Sequence, residues 1–238
     1  MSAVELAFVL AASAAAFTTS AAAGLGGSLI LVPALALVLG AKEGVALAAL
    51  LLALNNVAKV VAYRRAIPLR ASAAVIVLTI VGSAAGASLL VAAPEEVVGP
   101  VVIASIALSL LFERVAALST VRLGSAPVLA FASGATSGFS GTSGPLKGIA
   151  LRNLDLDRFR LAGAASAVSL AGDATKTAIF AEASLLGTES IVVAVCAMPL
   201  MVAATLTGRR LNRRLGERGF AVLFWTVMAG YSARLAFG

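Results

Sequence analysis

From Ala71 to Pro94 the chain carries no Asp, Glu, Lys or Arg, and none occurs from Ser190 to Gly208. A helix needs about 20 predominantly apolar residues to cross a hydrocarbon core. Lipid offers no hydrogen bonds, so backbone in such a run must satisfy itself, and helix is the form in which one segment does so alone. The rest of the chain agrees. Of its 238 residues 61% are hydrophobic and 12% charged, against about 45–50% and about 25% in a soluble domain. The expected fold is all-α, a polytopic membrane protein with almost no domain outside the bilayer. Long helices are predicted near 44–63, 71–92, 97–112, 158–181, 190–208 and 219–233. The opening run AFVLAASAAAF has only Glu5 before it and no basic residue, so it reads as a retained membrane segment rather than a signal peptide.

The charges between the runs alternate in sign. Arg64, Arg65 and Arg70 make a basic break, Glu95 and Glu96 an acidic one, Arg114 and Arg122 a basic one. Then come Arg152, Arg158 and Arg160, then Glu182 and Glu189, then the cluster from Arg209 to Arg218. Lys and Arg concentrate in cytoplasmic loops. Thirteen of the 18 fall in loops assigned to that side, and only Lys42 and Arg234 in loops opposite. Both termini are then expected on the outer side.

A repeat is visible at an offset of 117 residues. GLGGSL (24–29) aligns with GTSGPL (141–146), and LNNVAKVVAY (54–63) with AGDATKTAIF (171–180). The first copy of the second block meets a basic loop and the second an acidic one, so the copies are expected to be inverted, an arrangement common in secondary transporters. The boundaries that follow are 1–116 for the first repeat, 117–124 for a cytoplasmic connector and 125–238 for the second. Each repeat reads as a Gly-broken helical hairpin plus three transmembrane helices. The hairpins are the uncharged stretch 6–41 and the stretch 123–146, although two full spans would satisfy the same parity.

Backbone that leaves helical geometry at membrane depth must line a cavity or be covered by protein. The breaks at Gly24, Gly26, Gly27 and Ser28, and at Gly141, Thr142, Ser143 and Gly144, are therefore the first candidates for a binding site. Each starts a short helix, and a helix start offers unpaired N–H groups and partial positive charge. Pro145 suits the first turn. Two such starts brought together would hold an anion near the midplane; the alternative is that the glycines only pack helices closely. A second constellation joins Asn55, Asn56 and Lys59 to Asp173 and Lys176. Asn56–Lys59 and Asp173–Lys176 share i, i+3 spacing, so each pair lies on one helical face. Asp173 is a candidate for proton or cation coupling, or a structural partner of Lys176. Lys59 and Lys176 either contact a ligand or snorkel to the interface. Lys147 faces either the site or the cytoplasmic surface.

The chain has no histidine and one cysteine, Cys196, read as a small buried hydrophobe. Zinc sites of His and Cys, haem ligation by His, disulfides and Ser-His or Cys-His catalysis are excluded. No metal, cofactor or catalytic residue is expected. A GFSGTSG string resembles the serine motif of rhomboid proteases, but their mechanism needs a histidine. The formal charge of +7 belongs to cytoplasmic loops rather than to a nucleic-acid-binding face. No phosphate-binding loop of an ATP-driven pump is present.

The pattern GLGGSLILVP followed by LNNVAKVVAYRR, with the closing GRRLNRRL, resembles the sulfite exporter TauE/SafE family, also called the toluene-sulfonate uptake permeases. The likeness covers nearly the whole chain and places Gly24 to Ser28, Asn55 and Asn56 on the family's motif positions; the second break, GTSGP, departs from the usual Gly-Gly form. The resemblance implies an integral carrier, not an enzyme, for small sulfur-containing or carboxylated anions such as sulfite, sulfonates or sulfoacetate. It further implies a multi-pass protein of the bacterial inner membrane. Alternating access, with a homodimer supplying a fixed frame for an elevator, is the expected mechanism. An anion channel with a related helix-dipole site is the alternative.

Overall fold

Among the described residues, helix follows helix where the uncharged runs lie. The computed structural model describes residues 1–23, 27–118, 126–142 and 144–211. Among them all regular structure is helical: α1 (Ala3–Ala23), α2 (Gly27–Leu39), α3 (Ala41–Tyr63), α4 (Leu69–Ala92), α5 (Glu95–Leu118), α6 (Ala126–Ser140), α7 (Gly144–Arg152), α8 (Arg158–Glu182) and α9 (Thr188–Leu211). The helix expected near 219–233, most of the connector, and Gly24, Gly26 and Ser143 fall outside the described residues.

Local chemistry explains the ends. α4 begins directly after Pro68 and stops before Pro94, as the restrictions of proline on itself and its predecessor require. α5 then opens with Glu95 and Glu96, whose charges suit a helix N-terminus. Asp157 caps α8 by accepting from the Arg160 amide at 3.0 Å. Two described helices, α3 and α4, are long and apolar enough to cross a membrane by length and composition. By contrast α2, α6 and α7 hold 13, 15 and 9 residues. At ~1.5 Å per residue each is well short of the ~30 Å hydrocarbon thickness. α1, with 21 residues, reaches that length.

Several contacts orient the bundle. The Lys42 ammonium at the start of α3 donates to the Val91 carbonyl near the end of α4 at 2.9 Å, and a methyl on Gly40 would lie 3.7 Å from Glu95 Oε1. This acidic end therefore gathers the start of α3, the end of α4 and the start of α5. At the opposite, arginine-bearing end, a methyl on Gly163 of α8 would come 2.9 Å from the carbonyl oxygen of Ala66, just past α3. Ten residues further into each helix, Asn56 hydrogen-bonds Asp173. α3 and α8 thus run antiparallel, side by side.

Two hydrophobic cores lie toward the two ends. The larger is built from α1, α2, the first half of α3 and α9, closed by Ala87 and Leu90 of α4, Val98, Val102 and Ile106 of α5, and Phe180 of α8. The smaller joins Val75 of α4 and Ala130 of α6 to Ala150 and Leu151 of α7 and Ala164 and Val168 of α8. α4 and α6 pack along each other in parallel through glycine. Gly82 lies on the Phe131 carbonyl and Gly86 on that of Ala135, while Gly134 and Gly138 lie on the carbonyls of Thr79 and Ser83. Cys196 is exposed on α9, contrary to the expectation that it is buried; its turn of the helix faces outward with Val192 and Val195.

The helix bounds repeat. α1 and α6 end at Ala23 and Ser140, α2 and α7 start at Gly27 and Gly144, and α3 and α8 start at Ala41 and Arg158. Each pair is separated by the same 117 positions that separate Asn56 from Asp173.

Candidate functional site

The polar groups of the bundle interior gather where α3 crosses α8 and the α6–α7 break comes alongside. α6 ends with its Ser137 carbonyl accepting from the Gly141 amide at 2.9 Å, and Gly141 takes φ 74°, left-handed backbone that glycine adopts without penalty. Gly141 also rests on α2, where a methyl would lie 2.6 Å from Val32 Cγ2. The second break is therefore seated against the first short helix. Beyond it Thr142 is buried, its hydroxyl 3.1 Å from that of Ser140. Gly27 is buried and Ser28 half-buried at the start of α2, and Gly144 opens α7. Gly141→Ala is expected to cost about 2–3 kcal/mol, from the left-handed backbone and the contact with Val32 together. A fall of several degrees in the thermal midpoint of the purified protein is the measurement.

Asp173 is the centre of the charged cluster. Its Oδ2 accepts from Asn56 Nδ2 at 2.6 Å, and its Oδ1 pairs with the Lys176 ammonium at 2.8 Å. Lys176 is fully buried and does not snorkel. Its remaining donors reach Ser137 Oγ at 3.0 Å and the Ser137 carbonyl at 3.3 Å. An ammonium has three N–H donors, so all of them are engaged. Lys176 thus ties α8 to the last turn of α6 and has no donor left for a ligand in this arrangement. Ser137 carries no sequence signal that distinguishes it from the other serines of α6, and the sequence reading missed it.

Two further lysines face the same region. Lys147 of α7 donates to Ser169 Oγ of α8 at 2.6 Å, and Lys59 of α3 is half-buried. Both lie within the electrostatic reach of Asp173, and Lys147 also within that of Lys59 and Lys176. Lys147 therefore faces the site rather than the surface. Asn55 is buried, and its Nδ2 has no hydrogen-bond partner among the described residues. The same holds for the Ser83 hydroxyl, which lies 2.9 Å from where a methyl on Gly172 would sit, one residue before Asp173.

Of the residues singled out in the sequence, the structure brings Asn56, Asp173 and Lys176 into direct contact, with Lys59 in electrostatic range. It sets Gly141 and Thr142 beside them, through Ser137 and Ser140 of the same α6 end. Among the described residues no three His, Cys, Asp or Glu side chains converge as metal ligands would. The cluster offers ammonium, amide and hydroxyl donors around one carboxylate that is already satisfied. It is a donor-rich, cation-rich site.

The family model for the sulfite exporter TauE/SafE matches residues 8–235, nearly the whole chain. No curated protein matches it, and no solved structure does.

Proposed function

The chain belongs to the sulfite exporter TauE/SafE family, and from that premise we propose that it is a secondary carrier exporting small sulfur-containing anions across the bacterial inner membrane. Sulfite, sulfonates and sulfoacetate are the substrate class. One observation carries the reading: the two oxygens of Asp173 are taken by Lys176 and Asn56, while the Lys147 ammonium, in electrostatic reach of that carboxylate, has as its hydrogen-bond partner among the described residues only the neutral Ser169 hydroxyl. Uncompensated charge inside a membrane is costly and marks ligand or ion pathways. Positive charge in excess of the resident carboxylate calls for an anion.

The architecture in which this site works is a pair of inverted repeats, 1–116 and 125–238. Three facts support it: the matching helix bounds, the antiparallel run of α3 against α8, and the contact between Asn56 and Asp173, positions related by the offset itself. Equivalent residues meet only where a two-fold axis passes between them. The substrate lies at this crossing, near the midplane, with the amides at the starts of α2 and α7 and the side chains of Ser28, Thr142, Asn55, Asn56 and Lys59 as its donors. Gly24, Gly26, Ser143 and the Gly27 and Gly144 starts complete the two breaks. Asp173 is the group through which a proton or cation is coupled. Alternating access exposes the site toward the acidic end and the arginine-bearing end of the bundle in turn, in a homodimer with both termini outside.

Proteoliposomes containing the full chain are expected to show saturable flux of sulfite or sulfoacetate, weaker for sulfate. Absence of saturable flux for every such anion would sink the proposal. Single-channel currents far above carrier turnover would favour a channel instead.

A further inference from the structure

The two halves of the cluster are not alike, and the difference lies on one side. Along α8, Ser166, Ser169, Asp173 and Lys176 fall at i, i+3, i+7 and i+10, one face of the helix. The positions 117 earlier on α3 are Ala49, Leu52, Asn56 and Lys59, so the polar face continues past the crossing on α8 and becomes apolar on α3. Lys147 of α7 likewise corresponds to Ile30 of α2, which is buried in the large core. Ser169 lies four residues from Asp173 toward the start of α8, about 6 Å along the helix axis. This is the direction of the arginine-bearing end, marked by the contact of Gly163 with Ala66. The side toward the acidic end is filled by the large core.

We propose that Lys147 and Ser169 form a second oxyanion subsite, one helical turn to the arginine-loop side of Asp173, where the anion halts before or after the central site. The Lys147 ammonium is half-buried, and its hydrogen-bond partner among the described residues is a neutral hydroxyl. Ser169 accepts from Lys147 and keeps its own O–H to donate. Two ammonium donors and one hydroxyl donor suit the three oxygens of a pyramidal sulfite or a sulfonate head. The opposite half has no equivalent, so the subsite serves one face of the membrane only.

The inference rests on the carrier reading, and the experiment separates the two. Radiolabelled sulfite flux is measured in right-side-out and everted membrane vesicles carrying the full chain. K147Q is expected to raise KM about tenfold from the arginine-loop face and to leave it within about twofold from the other face. S169A is expected to raise it less, and K147R to retain most of the affinity. An equal rise from both faces would place Lys147 in the central site and overturn the subsite, as would no rise from either. Should the wild type show no saturable flux, the carrier reading falls and the subsite is judged on binding alone. Sulfite-dependent thermal stabilisation of the purified wild type that K147Q lacks then supports it, and equal or absent responses refute it.

Discussion

Asp173→Asn is expected to destabilise the protein by about 3–5 kcal/mol, the range for removing one partner of a buried ion pair. Lys176 is fully buried and Asp173 is its counter-ion at 2.8 Å. Its other partners are the hydroxyl and carbonyl of Ser137, which orient an ammonium without neutralising it. The double variant Asp173→Asn with Lys176→Met removes both charges and is expected to recover most of the loss. This asymmetry between single and double variants separates a charge effect from a packing effect. Thermal midpoints of purified wild type, both single variants and the double variant close the cycle. If the single and double variants lose the same stability, neutralisation of the buried Lys176 charge by Asp173 is not what stabilises the cluster.

Stability and transport should respond differently to the same lysines. Lys59 and Lys176 stand at equivalent repeat positions, and equal roles would follow from the offset alone. Their i−3 neighbours differ: Asn56 is an amide and cannot cancel a charge, whereas Asp173 can. Lys176 is consequently sealed inside with its counter-ion, while Lys59 remains half-buried and within reach of the same carboxylate. The sequence reading treated the two lysines alike, and the structure separates them. Other features were legible in the sequence. Charge-free runs marked the long helices, and Gly-rich breaks marked the short ones. The repeat offset named Asn56 and Asp173 as counterparts.

What the offset did not reveal is that these counterparts touch. Equivalence is a property of the sequence, whereas contact depends on how α3 and α8 pack against each other. The two cores were hidden for a related reason. In a chain this apolar, hydrophobic residues inside the protein and those facing lipid look alike, so the usual contrast between core and surface vanishes. Polar residues carry the information instead, and those with a visible partner at helical spacing were found. Ser137 and Ser169 were not, because their partners, Lys176 and Lys147, lie 39 and 22 residues away.

Gly86→Val is expected to be among the most damaging single changes outside the charged cluster. A β-carbon at Gly86 would overlap the Ala135 carbonyl, and one at Gly138 the Ser83 carbonyl. The obstacle is backbone on both sides, so no side-chain rotation relieves it and the helices must separate. Van der Waals packing is the main force holding helices together where lipid competes equally for apolar surface, so separation forfeits the contact along the whole α4–α6 length. The expected cost is about 3 kcal/mol, the upper end for overpacking. It reaches the site as well, because α6 carries Ser137, and moving α6 away from α4 shifts the acceptors of Lys176. Sulfite flux should therefore fall along with the thermal midpoint. Gly148→Ala is the control: nothing lies within 4 Å of its added methyl, and replacing glycine inside a helix gains about 0.5–1 kcal/mol. A Gly86→Val protein that melts like the wild type would mean that α4 and α6 do not approach this closely, and the seating of Lys176 between α6 and α8 would have to be redrawn.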